Sequence, residues 1–261
     1  QPIINSNLTS DGVPLEYIVR TTNGGDQELV AFKTGSSADE PVFIVAVLRP
    51  ASFATTLFQN LDHLGSNDDV LALNLVARVF DGDGDYVDQP FTINVNDSEP
   101  TAIDLEAVMG ENENLDITLV EGTHFSFGAD STGTSLSIGT VTLSGGPVGV
   151  TLGTPSVVFD PATNKISIAP GTAFDALAAG QTVLLHIPYT VTDGDGDSIT
   201  KEIAVTVTGT NDGPTVSAST PAHLIEAGYQ EPGIASSSAT LTLGDVDGTA
   251  SYNAAALSSD G

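Results

Sequence analysis

Asp81-Gly82-Asp83-Gly84-Asp85 recurs letter for letter as Asp193-Gly194-Asp195-Gly196-Asp197. Carboxylates at alternate positions, parted by glycines that permit tight turns with φ > 0, converge several oxygens on one point. Hard divalent cations bind such points. Calcium takes about 6–8 oxygen ligands and tolerates irregular geometry better than magnesium does. Each copy is followed by a β-like run and then a link, Asn96-Asp97-Ser98-Glu99-Pro100 after the first and Asn211-Asp212-Gly213-Pro214 after the second. The chemistry these residues offer is cation ligation. An EF-hand is excluded, because its bidentate Glu at the twelfth loop position would fall on Thr92 or Ala204 and no helical periodicity flanks either loop.

The elements that must carry these loops are strands. Period-two alternation runs through Leu71, Leu73, Leu75, Ala77 and Val79, and again through Phe91, Ile93 and Val95, which is the pattern of strands half-buried on a sandwich core. Val42 to Leu48 and Leu29 to Phe32 are shorter apolar runs, and Asp11-Gly12, Asn23-Gly24-Gly25 and Gly65-Ser66-Asn67 are turns between them. After the first link, strands are expected at Asp116–Val120, Ser135–Leu143, Val157–Phe159, Lys165–Ile168, Val183–Val191 and Glu202–Thr208. Leu185, Ile187, Tyr189 and Val191 alternate cleanly, which sends His186 to the opposite face. Phe174–Gly180 is expected to form one helical turn before a strand.

The acid loop returns after roughly the length of one immunoglobulin-like sandwich, and self-similarity at that spacing indicates tandem domains. The expected organisation is all-β: antiparallel, immunoglobulin/cadherin-like β-sandwiches over 1–100 and 101–213, and an incomplete third over 214–261. The last segment is too short for the seven or so strands of a sandwich, so it is either continued downstream or split by an insertion.

Composition agrees with a cation-held extracellular chain. The 261 residues include no cysteine, so packing or metal must supply any cross-linking. Thirty-four acidic residues against six basic ones give a net charge of −28, spread along the whole length. Such self-repulsion opposes compaction unless counter-ions relieve it. A uniformly acidic surface excludes nucleic acid as a partner and disfavours anionic membranes. Disorder is the alternative for so acidic a chain, but 40% of the residues are apolar and alternate with polar ones. No apolar run is long enough to span a membrane. Gln1 to Leu8 lack the basic and apolar regions of a signal peptide, and the chain is expected to be an excerpt of a longer one.

With these motifs in view, the chain resembles the repeat regions of bacterial type I secreted RTX adhesins. Residues 11–100 resemble one such repeat, through Asp11-Gly12-Val13-Pro14-Leu15-Glu16-Tyr17, Leu61-Asp62-His63, Leu71 to Leu75, Asp81 to Asp85 and Asn96-Asp97. Residues 157–214 resemble the end of a VCBS-type cadherin-like repeat, through Phe174 to Gly180, Tyr189 to Asp197 and Thr208 to Pro214. Glu226 and Asp245-Val246-Asp247-Gly248 resemble the opening of the next. The resemblance implies a very long, outer-membrane-anchored surface protein used in attachment and biofilm formation. The nonapeptide repeats of the export region are absent from these residues.

Calcium is accordingly expected at domain junctions, where the Asn-Asp link of one domain, a Glu early in the next and an Asp-x-Asp loop reach the same ion. For the second junction the nominated ligands are Asn211, Asp212, Glu226, Asp245 and Asp247, and for the first Asn96, Asp97, Asp104 and Glu106. Asp81, Asp83, Asp85, Asp193, Asp195 and Asp197 are candidates for further ions at the domain ends. The competing reading is that Asp and Gly are simply favoured in solvated turns. His63, His124, His186 and His223 have no metal-ligand spacing, and Asp62-His63 with Asp68-Asp69 is read as structural.

No Gly-x-Ser-x-Gly elbow, P-loop or His-Glu-x-x-His occurs, and an enzyme is not expected. The functional expectation is a secreted, monomeric, calcium-stiffened spacer on the bacterial surface. Its partners are the neighbouring adhesin domains, and it presents other domains to a sugar or protein on a host or biofilm surface. Two alternatives stand beside it: a calcium-dependent module that grips sugar or peptide, with Tyr86, Tyr229 and Tyr252 free to stack, and an accessory region of a secreted hydrolase.

Overall fold

The computed structural model describes residues 7–48, 52–63, 70–129, 133–219, 233 and 238–252. Among these every regular element is a strand, and none is a helix. The chain divides between two compact units, the first built from residues 1–104, 119–139 and 188–201 and the second from 105–118, 140–187 and 202–261.

In the first unit, β1 (Thr9–Ser10), β2 (Val13–Thr21), β3 (Gln27–Lys33), β4 (Pro41–Leu48) and β5 (Ser52–Leu57) form an antiparallel sheet in sequence order. β6 (Val70–Phe80) and β7 (Tyr86–Asn96) make a separate antiparallel hairpin, in register from Val70↔Asn96 to Phe80↔Tyr86. Leu73 and Leu75 of β6 join Leu8, Leu15, Ala31, Val42, Phe43, Val45 and Leu61 in one core, with Leu71, Phe91, Ile93 and Val95 packed against it. The alternation therefore does what its period requires: one face of the hairpin lies on one face of the sheet, as in a sandwich. Towards its tip the hairpin leaves that core. Val79, expected on the buried face, is 60% exposed.

The first unit also holds β8 (Thr101–Ala102), which pairs with β11 (Phe125–Ser126). The second holds β9 (Leu105–Gly110), and β10 (Leu115–Thr118), β14 (Ser156–Asp160) and β15 (Lys165–Ala169) in the order β10-β15-β14. β12 (Ser135–Ile138) and β13 (Thr142–Ser144) both pair with β16 (Thr182–Thr192), which neighbours β17 (Ser198–Thr208), which in turn neighbours β9. Val183, Leu185, Ile187, Tyr189 and Val191 of β16 are buried, as are Ile203, Val205 and Val207 of β17. His186 lies on the other face, as the alternation demands.

Three further details depart from the sequence reading. Among the described residues β9 pairs with β17 in parallel, from Leu105↔Ile203 to Gly110↔Thr208, where an antiparallel sandwich is expected. A parallel pair needs a long crossover, and the intervening chain supplies it. The single strand expected at Ser135–Leu143 is broken into β12 and β13. Pro188 in β16 has no N–H to offer the ladder, and opposite it Gly139 turns aside, donating its own N–H to the Pro188 carbonyl at 2.8 Å. Phe174–Gly180 forms turns rather than a helical turn, with the Leu177 and Gln181 N–H groups donating to the carbonyls of Phe174 and Ala178.

In the final segment β18 (Thr215–Ala218) pairs with β19 (Leu241–Gly244). Glu226, His223 and Tyr229 lie outside the described residues.

Candidate cation sites

Both acid loops close hairpins of identical build. β6 and β7 have 11 residues each, as do β16 and β17. In the first loop the Asp81 N–H donates to the Asp85 carbonyl at 3.0 Å and the Gly84 N–H to Asp81 Oδ1 at 3.2 Å. In the second the corresponding bonds are Asp193 to Asp197, 3.0 Å, and Gly196 to Asp193 Oδ1, 3.1 Å. Gly84 and Gly196 sit at φ 99° and 109°, where a side chain is strained. The glycines are required by the turn, and the turn gathers the aspartates.

Their surroundings differ. Asp81, Asp83 and Asp85 bring oxygens within 4.8 Å of one another, but all three are exposed. Asp193 and Asp197 are only 1% and 6% exposed. A fourth carboxylate reaches the second loop: Asp97, just beyond β7, brings an oxygen within 4.8 Å of those of Asp195 and Asp197. The link that carries Asp97 is fixed by its neighbours. The Ser98 N–H donates to Asp97 Oδ1 at 2.6 Å, and Ser98 Oγ accepts from the Ala129 N–H at 3.1 Å. Gly128 lets this segment pass, since a Cβ there would stand 2.2 Å from the Ser98 carbonyl oxygen.

The electrostatics of this group are those of a site short of positive charge. Burial and the Asp195 carboxyl push Asp193 up to about 7, against the pull of the Asp197 and Gly196 N–H groups. Asp97 is raised to about 6, by burial first and then by Asp195, while the Ser98 N–H and His63 oppose the rise. Burial works against ionisation of Asp195 too, but the neighbouring carboxyls of Asp193 and Asp97 hold it below the usual range. Asp97 Oδ2, Asp193 Oδ2 and Asp195 Oδ2 are buried and accept no hydrogen bond. Buried charged oxygens without a partner cost free energy. A hard divalent cation would supply the missing positive charge, and the donor set fits such an ion.

A second convergence lies in the second unit. Glu111 is fully buried just beyond β9. Its Oε1 accepts from the Thr210 N–H at 2.7 Å and from the Thr210 hydroxyl, while Oε2 is buried and unbonded. The Asp212 N–H donates to Asp247 Oδ2 at 3.2 Å. Asp212 is raised by burial and then by the charges of Glu111, Asp175, Asp247 and Asp245. Asp245 is raised chiefly by the carboxyl of Asp247 beside it. Asp212 Oδ2 and Asp245 Oδ1 are again buried without a donor.

Of the nominated residues, Asp212, Asp245 and Asp247 are thus brought together, while Glu226 falls outside the described residues. Asn211 turns its side-chain amide to the Asp212 carbonyl. Asp97 meets Asp195 and Asp197 rather than Asp104 and Glu106. Asp104 faces Lys201 at 3.7 Å, Glu106 is exposed on β9 and Asn96 is exposed at the end of β7. Glu111 and Asp175 were not foreseen. Asp175 had a signal, because Phe174-Asp175 repeats the pattern of Leu61-Asp62: each acid follows a buried core residue. In the first copy Asp62 Oδ2 accepts from the Gly12 N–H at 2.8 Å.

One further polar chain crosses the sheet. Ser144 Oγ lies 2.6 Å from His186 Nε2, and His186 Nδ1 lies 2.7 Å from Glu202 Oε1. The order is that of a nucleophile, base and orienting acid. It is strung across β13, β16 and β17 on the face opposite the buried row, with Ser144 exposed, and it works as a cross-strand clamp.

No protein-family model and no curated protein sequence matches the chain. Among solved structures it is similar to a protocadherin fragment, PcdhgB3 EC1-4, at 14% identity over 95% of this chain and 50% of that one, with a TM-score of 0.31. It is also similar to mouse clustered PcdhgC3 EC1-3, at 14% identity over 79% and 56% of the two chains, TM-score 0.25. A third likeness is to zebrafish RET cadherin-like domains 1 to 4, at 12% identity over 86% and 52%, TM-score 0.20. The chain spans about half the length of these structures. At such scores the likeness adds nothing to the functional reading, which rests on the chain's own residues.

Proposed function

We propose that the chain is a calcium-stiffened extender segment of a large bacterial surface adhesin. The observation that carries this reading is the meeting of Asp97 with Asp195 and Asp197, beside the buried Asp193. A link residue and a distant hairpin loop together offer one hard-cation site, so an ion there ties successive sandwiches, 1–100 and 101–213, across their connection. Towards 214–261, Asp212 feels the charges of Glu111, Asp175, Asp247 and Asp245, and a second ion there is part of the same reading. Carboxylate-only donors in irregular loops favour calcium over magnesium.

The mechanical consequence follows from the linkage. Inter-domain links hinge by default, and an ion bound on both sides removes the hinge. A site held at a hundred times its dissociation constant also adds about 2.7 kcal/mol of stability. Such a chain is soft where calcium is scarce and stiff where it is abundant, which suits export by a type I system followed by hardening outside the cell. The resemblance to RTX adhesin and VCBS-type repeats supports the finer assignment to attachment and biofilm formation. In this reading the segment is a monomer that presents adjacent domains to a surface ligand and performs no catalysis.

Small-angle scattering with calcium and then with a chelator tests the proposal. A long, fixed maximum dimension that broadens on chelation is the expected result. An unchanged profile, with no calcium heat by titration calorimetry, overturns it.

A further inference from the structure

The loop between β13 and β14 is held at both ends and open between them. At one end β13 pairs with β16, Ser144 opposite Leu184. At the other the Gly153 N–H donates to the Ala173 carbonyl at 2.7 Å, and a Cβ on Gly153 would stand 3.0 Å from the Ala173 Cα, so the chain is pinned closely there. Across 145–152 the backbone is tied by the Val150 N–H, which donates to the Pro147 carbonyl over a long 3.3 Å. This bond closes a turn in which Gly149, at φ 84°, takes the place that a type II turn reserves for a positive φ. Val148, at the other central place of the turn, is fully exposed.

The basic residues of the chain sit in the opposite kind of place. Arg20, Lys33, Arg78, Lys165 and Lys201 all lie within strands, and they face the carboxylates of Glu28, Asp11, Asp88, Asp116 and Asp104 respectively. Arg49 lies outside the described residues. A strand must be torn from its ladder before it can enter the cleft of a protease, whereas an exposed loop tip enters with little loss. What this open loop presents is a small aliphatic side chain that buries nothing, between Pro147 and Gly149.

We infer that the loop 145–152 is a proteolytic modification site, cut between Val148 and Gly149 by a serine protease with a small apolar S1 pocket, and that the nicked module stays assembled. Val148 fills such a pocket, and it does not match one shaped for Lys, Arg or a large ring. Hydrolysis breaks the bond from the Val148 carbonyl carbon to the Gly149 nitrogen; water gives its hydroxyl to the carbon and a proton to the nitrogen. The net charge of −28 steers an enzyme of basic surface towards the chain. The cut severs no ladder. β9 with β17, β10 with β15 and β13 with β16 each join a strand before the loop to one after it. No acid lies within 145–152, so the nick is independent of the cation sites.

Digestion of the full 261-residue chain with elastase and with trypsin tests this. Elastase is expected to release a new N-terminus reading Gly149-Val150-Thr151. Val148→Asp should slow that cut by at least about tenfold, because the apolar pocket rejects a charge. Val148→Lys should move the cut to trypsin, which leaves the parent loop intact. Neither substitution threatens the fold, since Val148 is fully exposed. Nicked chains should elute as one species in native buffer and part only in urea. If the loop survives elastase while other positions are cut, or if trypsin ignores Val148→Lys, the site does not exist and the inference is overturned. Fragments that separate without denaturant overturn the claim that the nicked module stays assembled. The calcium experiments above read a different property, so failure here leaves the proposed function standing.

Discussion

Asp97, one residue past the end of β7, and Asp195, at the tip of the β16–β17 hairpin, hold carboxylate oxygens within 4.8 Å of each other, and each leaves an oxygen buried and without a donor. Like charges at this distance repel unless an ion or a proton lies between them. Asp195→Asn and Asp97→Asn are therefore expected to act in opposite directions under two conditions. In calcium each lowers affinity by roughly 10- to 100-fold, about 1.4–2.8 kcal/mol. In chelator each raises the melting temperature, because one of the opposed charges is gone. Calorimetry and thermal melts of the same variants read both signs.

The pH dependence follows from the raised carboxyls. With Asp193 near 7 and Asp97 near 6 in the folded chain, against an ordinary value of 3.8, the folded state binds more protons than the unfolded one between these limits. Without calcium, stability is then greatest at the acid end of this window and falls as pH rises through about 6 and 7. Calcium needs the same groups deprotonated, so its binding releases protons and weakens as pH falls through the same range. Melting curves from pH 5 to pH 8 in chelator should slope downward, and saturating calcium should flatten or reverse the slope. A flat chelator series would remove the electrostatic basis of the site.

Gly128 tests how the link is held. At φ 78°, with a would-be Cβ 2.2 Å from the Ser98 carbonyl, it has neither conformational nor steric room for a side chain. Gly128→Ala is expected to destabilise by more than about 1 kcal/mol and to displace Asp97 with Ser98. Calcium affinity at the Asp97 site should drop with it although no ligand has changed. Gly82→Ala is the control, since a Cβ there meets nothing within 4 Å.

Glu111 separates packing from ligation. Glu111→Ala removes the acceptor for the Thr210 N–H and should cost about 1–3 kcal/mol whether or not calcium is present. Glu111→Gln keeps an acceptor oxygen and removes the charge, so its loss should show in the calcium response of the second site. Paired titrations of the two variants check this. Equal losses in chelator would make Glu111 a purely structural residue.

The Ser144, His186 and Glu202 chain is expected to be inert. As a clamp on an exposed sheet face it should leave Ser144 unlabelled by a fluorophosphonate probe, and His186→Ala should change stability modestly without altering calcium binding. Stoichiometric labelling that vanishes in His186→Ala would reopen the question of catalysis.

Much of this architecture was readable in the chain. Strict alternation along Leu71 to Leu75 and Val183 to Val191 named the buried faces, since a strand has only two. The glycines between the aspartates of the two identical loops marked tight turns, and in the fold each turn closes a hairpin. What stayed hidden was three-dimensional company. Sequence proximity suggested Asp104 and Glu106 as companions for Asp97, whereas the fold brings it to Asp195, far along the chain. Glu111 was hidden for the same reason: Thr210, which holds it, lies 99 residues further along the chain. Sharing of a cation by distant segments leaves no periodicity to find, only acids that look superfluous where they stand.

In the proposed extender, where such modules stand in tandem, the break between β12 and β13 at Gly139 takes on a further meaning. Tandem neighbours of similar fold face one another at very high local concentration while the chain is still soft. A long straight border on an open sheet would then invite strands of one module to pair with those of the next. Here one border of the β16–β17 sheet is two short pieces parted by a glycine that faces a proline, and neither piece presents an extended row of free amides. In the proposed array this border disfavours pairing between neighbours and so favours folding one module at a time.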